Sequence, residues 1–278
     1  MERNKRNKEK YSGVWRRICK RSRRVLYGEV CISCGDRGVR DELLCPSCAT
    51  KFQRKLAEKC PDCGAPRMYC YCAPPQLTDA GCEFLAKLAA YRHGDGDCPL
   101  NRIIWRQKRV RDRECAAFLA GLMADPITAM LDGQGVDRRE LIVTYVPRDP
   151  ARVLDAGHDQ AKMLAGAVAR ELDVPCLTLL DRRRGSSEQK QLSADERVKN
   201  VRQLFSLAAV TRNGGVAGRT VLLIDDLVTT GATAAACVSL LSGAGARVYC
   251  ASVAFTPLLR SGEQETASVT GGISASRR

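Results

Sequence analysis

Short apolar runs alternate with longer stretches of helical period along most of this chain, and the alternation predicts its architecture. Residues 140–146, 176–180, 221–224 and 248–255 are aliphatic or β-branched runs of strand length. Helical patterns separate them. Residues 99–110 carry Ile103 and Ile104 inward, and 112–131 continue in the same period. Residues 158–172 place Leu164, Ala165, Val168 and Leu172 on one face, and an alanine-rich stretch follows from residue 234. Residues 84–91 fit a strand or a helix equally well. Strands alternating with helices predict an α/β fold, a mostly parallel sheet covered by helices on both faces. Ligands of such sheets bind at the carboxyl ends of the strands. A separate stripe, Val14, Trp15, Ile18, Cys19, Val25 and Leu26, recurs at helical spacing among arginines and lysines. It suits either an anionic partner or packing on the chain's own surface.

Residues 221–233 hold the most specific chemistry. Four apolar residues precede Asp225 and Asp226, and Thr229, Thr230, Gly231, Ala232 and Thr233 then turn into a helix. A strand, a tight turn and a helix start make a phosphate seat, because free N–H groups and the helix dipole face the anion. Gly231 lets the backbone approach, and the threonine hydroxyls add donors. A carboxylate pair cannot favour a phosphate, but it accepts hydrogen bonds from vicinal hydroxyls. The pattern therefore suits a ribose 5-phosphate. Two basic segments fit an additional pyrophosphate. One is the loop with Arg148 and Arg152, which leads into a helix start. The other is residues 182–204, long, arginine-rich and laid out like a lid, with a capping box at Ser193 and Glu196.

The chain has 15 cysteines and two histidines. Cys31 and Cys34, then Cys45 and Cys48, are two Cys-x2-Cys knuckles with the spacing of a four-thiolate structural zinc site. Cys60 and Cys63 form a third knuckle, and Cys70 and Cys72 a tighter pair. They make a second zinc site, or the knuckles interleave between ions. One or two zinc ions are expected, held by sulfur alone, since neither His93 nor His158 lies nearby. The other cysteines lack such spacing and read as small buried apolar residues.

Charge then divides the chain. Eleven Lys or Arg against two Glu give residues 1–24 a charge of +9, leaving +5 of the net +14 for all the rest. These residues lack the apolar core and cleavage site of a secretion signal. No transmembrane segment is expected, since the longest uncharged run, 227–246, is broken by Gly, Ser and Thr. The expected parts are a basic arm (1–28), a zinc module (29–75) too poor in apolar residues to fold without metal, the α/β domain (82–258) and a disordered tail (259–278). Residues 73–75 read as a linker.

The 13 residues at 221–233 resemble the phosphoribosyl pyrophosphate (PRPP) motif of type I phosphoribosyltransferases. With the knuckles at Cys31, Cys45 and Cys60, Gly157-x-x-Gln160, Arg182-Arg183-Arg184 and Leu192-Ser193-x-x-Glu196-Arg197, the chain resembles the ComF (competence protein F) family over about residues 29–256. The resemblance implies a type I phosphoribosyltransferase fold behind a double zinc-ribbon head. It implies a cytoplasmic bacterial protein linked to uptake of single-stranded DNA, with other competence proteins as partners. Lys108 falls where the family tends to have a lysine. Two positions depart from the pattern: Ala156-Gly157-His158-Asp159-Gln160 stands for Arg-Gly-Phe-Asn-Gln, and Thr144-Tyr145-Val146-Pro147 for Val-Pro-Val-Pro. Two functions stay open. As an enzyme, the chain would bind PRPP with Mg2+ and transfer the phosphoribosyl group to an acceptor the sequence does not name. As a binding protein without turnover, it would hold single-stranded nucleic acid with the zinc head and basic arm.

Overall fold

The computed structural model describes residues 30–37, 39, 42–183, 203–212 and 215–257. The basic arm, the stripe at 14–26, the capping box at Ser193 and Glu196 and the C-terminal tail lie outside the described residues. The elements, in chain order, begin with helices α1 (Pro46–Leu56) and α2 (Pro75–Asp79) and strand β1 (Leu85–Ala90). Next come α3 (Pro99–Arg109), α4 (Arg113–Gly133), β2 (Leu141–Tyr145), α5 (Pro150–Ala156) and α6 (Gln160–Glu171). The chain finishes with β3 (Leu180–Arg182), β4 (Phe205–Leu207), α7 (Ala209–Arg212), β5 (Thr220–Val228), α8 (Ala232–Gly243) and β6 (Arg247–Phe255).

The main sheet has the order β1-β6-β5-β2, and every pair in it is parallel. Its strands are buried on both faces, which explains their unbroken apolar runs. Leu222 and Ile224 face one apolar cluster with α4 and α6, while Val221 and Leu223 face another with α8 and α2. The ambiguous residues 84–91 contain a strand, since parallel pairing with β6 leaves the small side chains of Leu85–Ala90 buried on both sides.

Three elements differ from the sequence expectation. Residues 176–180 are not a strand of the main sheet: Cys176 makes a single parallel bridge to Val143. The chain then turns away, and Leu180–Arg182 pairs antiparallel with Phe205–Leu207 in a separate two-stranded sheet. Residues 73–75 are not a free linker, because α2 starts at Pro75 and sends fully buried Leu77 into the cluster under α8. Strand β5 runs to Val228 rather than stopping at Ile224. Helix α4 has the length and apolarity of a membrane span, and half of it is buried against the sheet and α6.

The cysteine-rich residues share the core of the sheet. Cys31, Ile32, Leu44, Cys48 and Phe52 belong to the same apolar cluster as α3, α4 and β1, and the rings of Phe52 and Phe118 lie 5.9 Å apart. Lys87 of β1 is 1% exposed. Its ammonium donates to the carbonyl oxygens of Cys70 (3.0 Å), Cys72 and Leu85 (3.2 Å) and lies 4.9 Å from the Phe255 ring centre. A buried lysine thus clasps the second cysteine cluster to the sheet. Truncating Phe52 to Ala is expected to cost about 3–5 kcal/mol, the usual cost of emptying a buried aromatic site. Urea unfolding followed by far-UV circular dichroism and by zinc release should show one shared transition shifted down, since both parts pack on one core.

Candidate functional site

Strand β2 sets the site by ending early. Its last ladder pair is Tyr145 with Ile224, and Val146 still donates from its N–H to the Ile224 carbonyl (2.9 Å). Pro147 has no N–H and ends the ladder. On the other side β6 pairs on, Asp225 with Ser252 and Val228 with Phe255. Strand β5 therefore overhangs β2 by four residues, and Asp225 and Asp226 lie on the overhang. Below it opens a cleft of ≈ 350 Å³.

Most sequence-predicted residues meet there. Asp225, Asp226, Arg148, Arg152, Lys108, Thr229, Gly231 and Thr233 line the cleft. Thr230 and Ala232 do not; the Thr230 hydroxyl turns back to accept the Ala232 N–H (3.4 Å). Gly231 caps α8 with φ +87°, and a Cβ there would come 2.9 Å from Pro74 Cγ. The glycine is thus required by both its backbone conformation and the close approach of Pro74, besides leaving room for a ligand.

Lys108 reaches the cleft from the last turn of α3, and its Nζ lies 3.4 Å from Asp226 Oδ2. Gln160, from the first turn of α6, donates through Nε2 to the same oxygen (3.2 Å). Asp225 Oδ1 accepts the Asp226 N–H (2.8 Å). Burial, and then the neighbouring Asp226 carboxylate, push the Asp225 carboxyl well above its ordinary range. Arg148 uses its guanidinium on the backbone, donating to Lys108 O (3.1 Å) and His158 O (3.5 Å), while its N–H donates to Asp159 Oδ2 (3.0 Å). Asp149 and Asp159 cap α5 and α6.

Gln160 and Asp149 line the cleft but were not among the site candidates, and Arg182 joins them there. Among the described residues, Gln160 Oε1 and Arg182 Nε have no hydrogen-bond partner. Arg182 stacks over Phe205 at 5.2 Å and donates to Pro147 O (3.4 Å). It belongs to the segment read as a lid. Gln160 could have been found, because the Gly157-x-x-Gln160 spacing puts it in the turn beside a helix start.

Away from the cleft, the cysteines form two sets of four and do not interleave. Cys31, Cys34, Cys45 and Cys48 converge with all sulfurs within 4.8 Å of one another, and Cys60, Cys63, Cys70 and Cys72 do the same. The Cys34 and Cys45 sulfurs are 3.7 Å apart. A tetrahedron with Zn–S bonds of about 2.3 Å has sulfur edges of about 3.8 Å, so each set fits one closed structural zinc. Cys31 and Cys60 stand at about 7: burial pulls each upward, but N–H groups of Cys45, Cys34 and Ser33, and of Cys63 and Asp62, prevail. Burial pushes Cys34, Cys48 and Cys72 up, and Cys70 to about 12. Zinc capture by such sets displaces protons.

The parallel sheet with the acid pair overhanging its carboxyl end, and a helix start beside it, define a protein of the type I phosphoribosyltransferase fold. The family model of the phosphoribosyl transferase domain matches residues 159–269. The DNA utilization protein YhgH of Escherichia coli strain K12 is 30% identical over 223 residues, spanning 74% of this chain and 88% of that protein. The competence protein ComFC of Bacillus subtilis strain 168 is 26% identical over 202 residues, spanning 69% of this chain and 75% of its own length. A crystal structure of adenine phosphoribosyltransferase overlaps at 18% identity with a TM-score of 0.30, covering 49% of this chain and 78% of its own, a likeness too slight to carry an argument. The chain belongs to the ComF family.

Elemental analysis of protein purified under reducing conditions should find two zincs per chain, and Cys45→Ser or Cys70→Ser should each remove one. Gly231→Ala should destabilise the fold by about 2 kcal/mol, from a left-handed alanine and the encounter with Pro74. Urea midpoints measure the loss.

Proposed function

We propose that the cleft binds PRPP or another phosphorylated ribose and that the protein transfers the phosphoribosyl group. One observation carries the reading: the overhanging acid pair and an anion-favouring helix start border one cleft, with Lys108, Arg148, Arg152 and Arg182 on its walls. Asp225 and Asp226 accept hydrogen bonds from the 2- and 3-hydroxyls. Thr229, Gly231 and Thr233, which line the cleft, hold the 5-phosphate with their N–H groups and hydroxyls, while Thr230 and Ala232 bond to each other behind them. The basic side chains draw negative charge on the departing pyrophosphate, and the acids stabilise positive charge developing at C1. No side chain need act as nucleophile, since holding an acceptor in line with C1 is sufficient. Asp225 and Asp226, as hard oxygen donors, would hold Mg2+, which would supply positive charge against the negative charge of the pyrophosphate.

The names of the relatives, a DNA utilization protein and a competence protein, support a role in handling DNA; single-stranded DNA and other competence proteins are the partners proposed with it. On the charge and cysteine patterns alone, the proposed parts are a basic arm, a zinc head, a transferase domain and a tail, in a cytoplasmic protein. The alternative, a nucleic-acid-binding protein without turnover, gains less support. The groove beside α1 mixes Lys51, Arg54, Lys55 and Arg92 with Glu58, Asp95 and Asp97, which is not the uniformly basic track that a phosphate backbone favours.

The raised Asp225 gives a test with opposite signs. Its carboxyl holds a proton longer in the folded chain than in the unfolded one. Stability therefore falls as pH rises through the window between the two values, and the full penalty stands above it. Asp225→Asn should raise the melting temperature at neutral pH and change it little in strong acid. The same variant should weaken ribose 5-phosphate binding about 100-fold, the order expected from losing charge-assisted hydrogen bonds of about 1.5–3 kcal/mol each. In the unsubstituted protein the affinity should fall as Asp225 gains its proton. Calorimetry showing undiminished affinity in Asp225→Asn and Asp226→Asn together would remove the assignment.

A further inference from the structure

His158 lies where two helices end. Its Nε2 is 2.7 Å from the carbonyl oxygen of Gln107, in the last turn of α3, and its Nδ1 is 2.9 Å from that of Ala156, the last residue of α5. The ring is buried, and Gly157, at φ +69°, turns the chain so that it can face back onto α5. A carbonyl oxygen only accepts. A ring with one N–H would set a nitrogen lone pair against one of these oxygens, so both contacts are favourable only with a proton on each nitrogen. Two helix carboxyl ends, each with unpaired carbonyls and the negative end of a dipole, favour that cation. The next carbonyl of α3, Lys108 O, is taken by the Arg148 guanidinium. Besides Arg148, charged residues adjoining the ring or its two partners in sequence include Arg106, Lys108, Asp155 and Asp159; Arg106 pairs with Asp112, and Asp159 is occupied by the N–H groups of Arg148 and Lys162.

We propose that His158 is a positioning residue. Its doubly protonated ring links the ends of α3 and α5 and thereby holds Lys108, one residue beyond Gln107, over Asp226. The effect on ligand rests on the phosphoribose reading above; the state of the ring does not. No ligand contact is assigned to His158, which acts through Lys108.

Nitrogen-15 NMR of the full chain labelled at histidine is decisive for the ring, because there are only two histidines and His93 is exposed. At near-neutral pH, N–H protons on both ring nitrogens of His158 are expected; a single N–H overturns the link. His158→Phe keeps a ring and removes both donors. By calorimetry it should bind ribose 5-phosphate about tenfold more weakly. Lys108→Met should lose a similar factor, and the double variant should lose no more than either alone. Wild-type affinity in His158→Phe, or additive losses, overturns the positioning role. If His158→Phe does not fold, the proton count in the unsubstituted protein still decides the link. Failure of the unsubstituted protein to bind ribose 5-phosphate would overturn the cleft reading, and with it the ligand role of His158, while the ring measurement stands by itself.

Discussion

Two adjacent carboxylates at the end of a buried strand are an unfavourable arrangement that the unequal lengths of the neighbouring strands make possible. Pro147 ends β2 at the level of Ile224, whereas β6 keeps its ladder to β5 as far as Val228. Had both neighbours continued, Asp225 and Asp226 would be enclosed by sheet on either side. Had both stopped, the chain after Ile224 would be a loop with no fixed direction. One-sided pairing holds the backbone straight while opening one edge to a ligand. The residual cost is visible in the raised Asp225. Lys108, Gln160 and the Asp226 N–H offset it only in part, and ligand hydroxyls would supply further donors.

The cysteine-rich part is built into the wall behind this edge. Lys87 gathers the carbonyls of Cys70 and Cys72 from beneath, over Phe255, and Phe255 pairs with Val228 at the start of the threonine turn. Two residues after Cys72, Pro74 presses on Gly231. The cysteine set at 60–72 therefore braces the same turn from two directions, and a metal held there would stiffen the brace. The buried ammonium also suits the negative charge of a four-thiolate zinc, since among the described residues no carboxylate pairs with Lys87. The second cysteine set and the turn at 229–231 are mechanically joined, although the sequence suggests separate parts.

The legible features were those with local causes. Apolar runs marked β2, β5 and β6, and Cys-x2-Cys spacing marked the two thiol sets before their pairing was visible. The acid pair and threonine turn stood out because strand, charge and small residues coincide within 13 positions. What escaped depended on distant partners. Residues 176–180 have strand composition, yet only Cys176 lies beside β2 before the chain leaves the sheet. Lys87 looks like a solvated charge within Leu-Ala-Lys-Leu-Ala-Ala, and its acceptors come from 15 and 17 residues away. Pro74 and Pro75 suggest a linker because proline ends regular structure, but here Pro75 starts a helix and Leu77 anchors it. No residue of β5 itself shows that β2 will stop at Tyr145; that follows from Pro147, 78 positions before Asp225.

The charges around the cleft also differ in how much each has left for a ligand. Arg148 is spent on the backbone carbonyls of Lys108 and His158, and Asp149 on the start of α5. Lys108 is paired with Asp226. Arg182 is half-committed to Pro147 and the Phe205 ring, and its Nε has no partner among the described residues. A polyanionic ligand would therefore meet Arg152 and Arg182 first. It would draw Lys108 only by offering more than Asp226 does, so Asp226 would gain hydroxyl donors as it yielded the ammonium. On the proposed reading, capture of the sugar and capture of the anion would in this way be one exchange, centred on the single oxygen, Asp226 Oδ2, that Lys108 and Gln160 share.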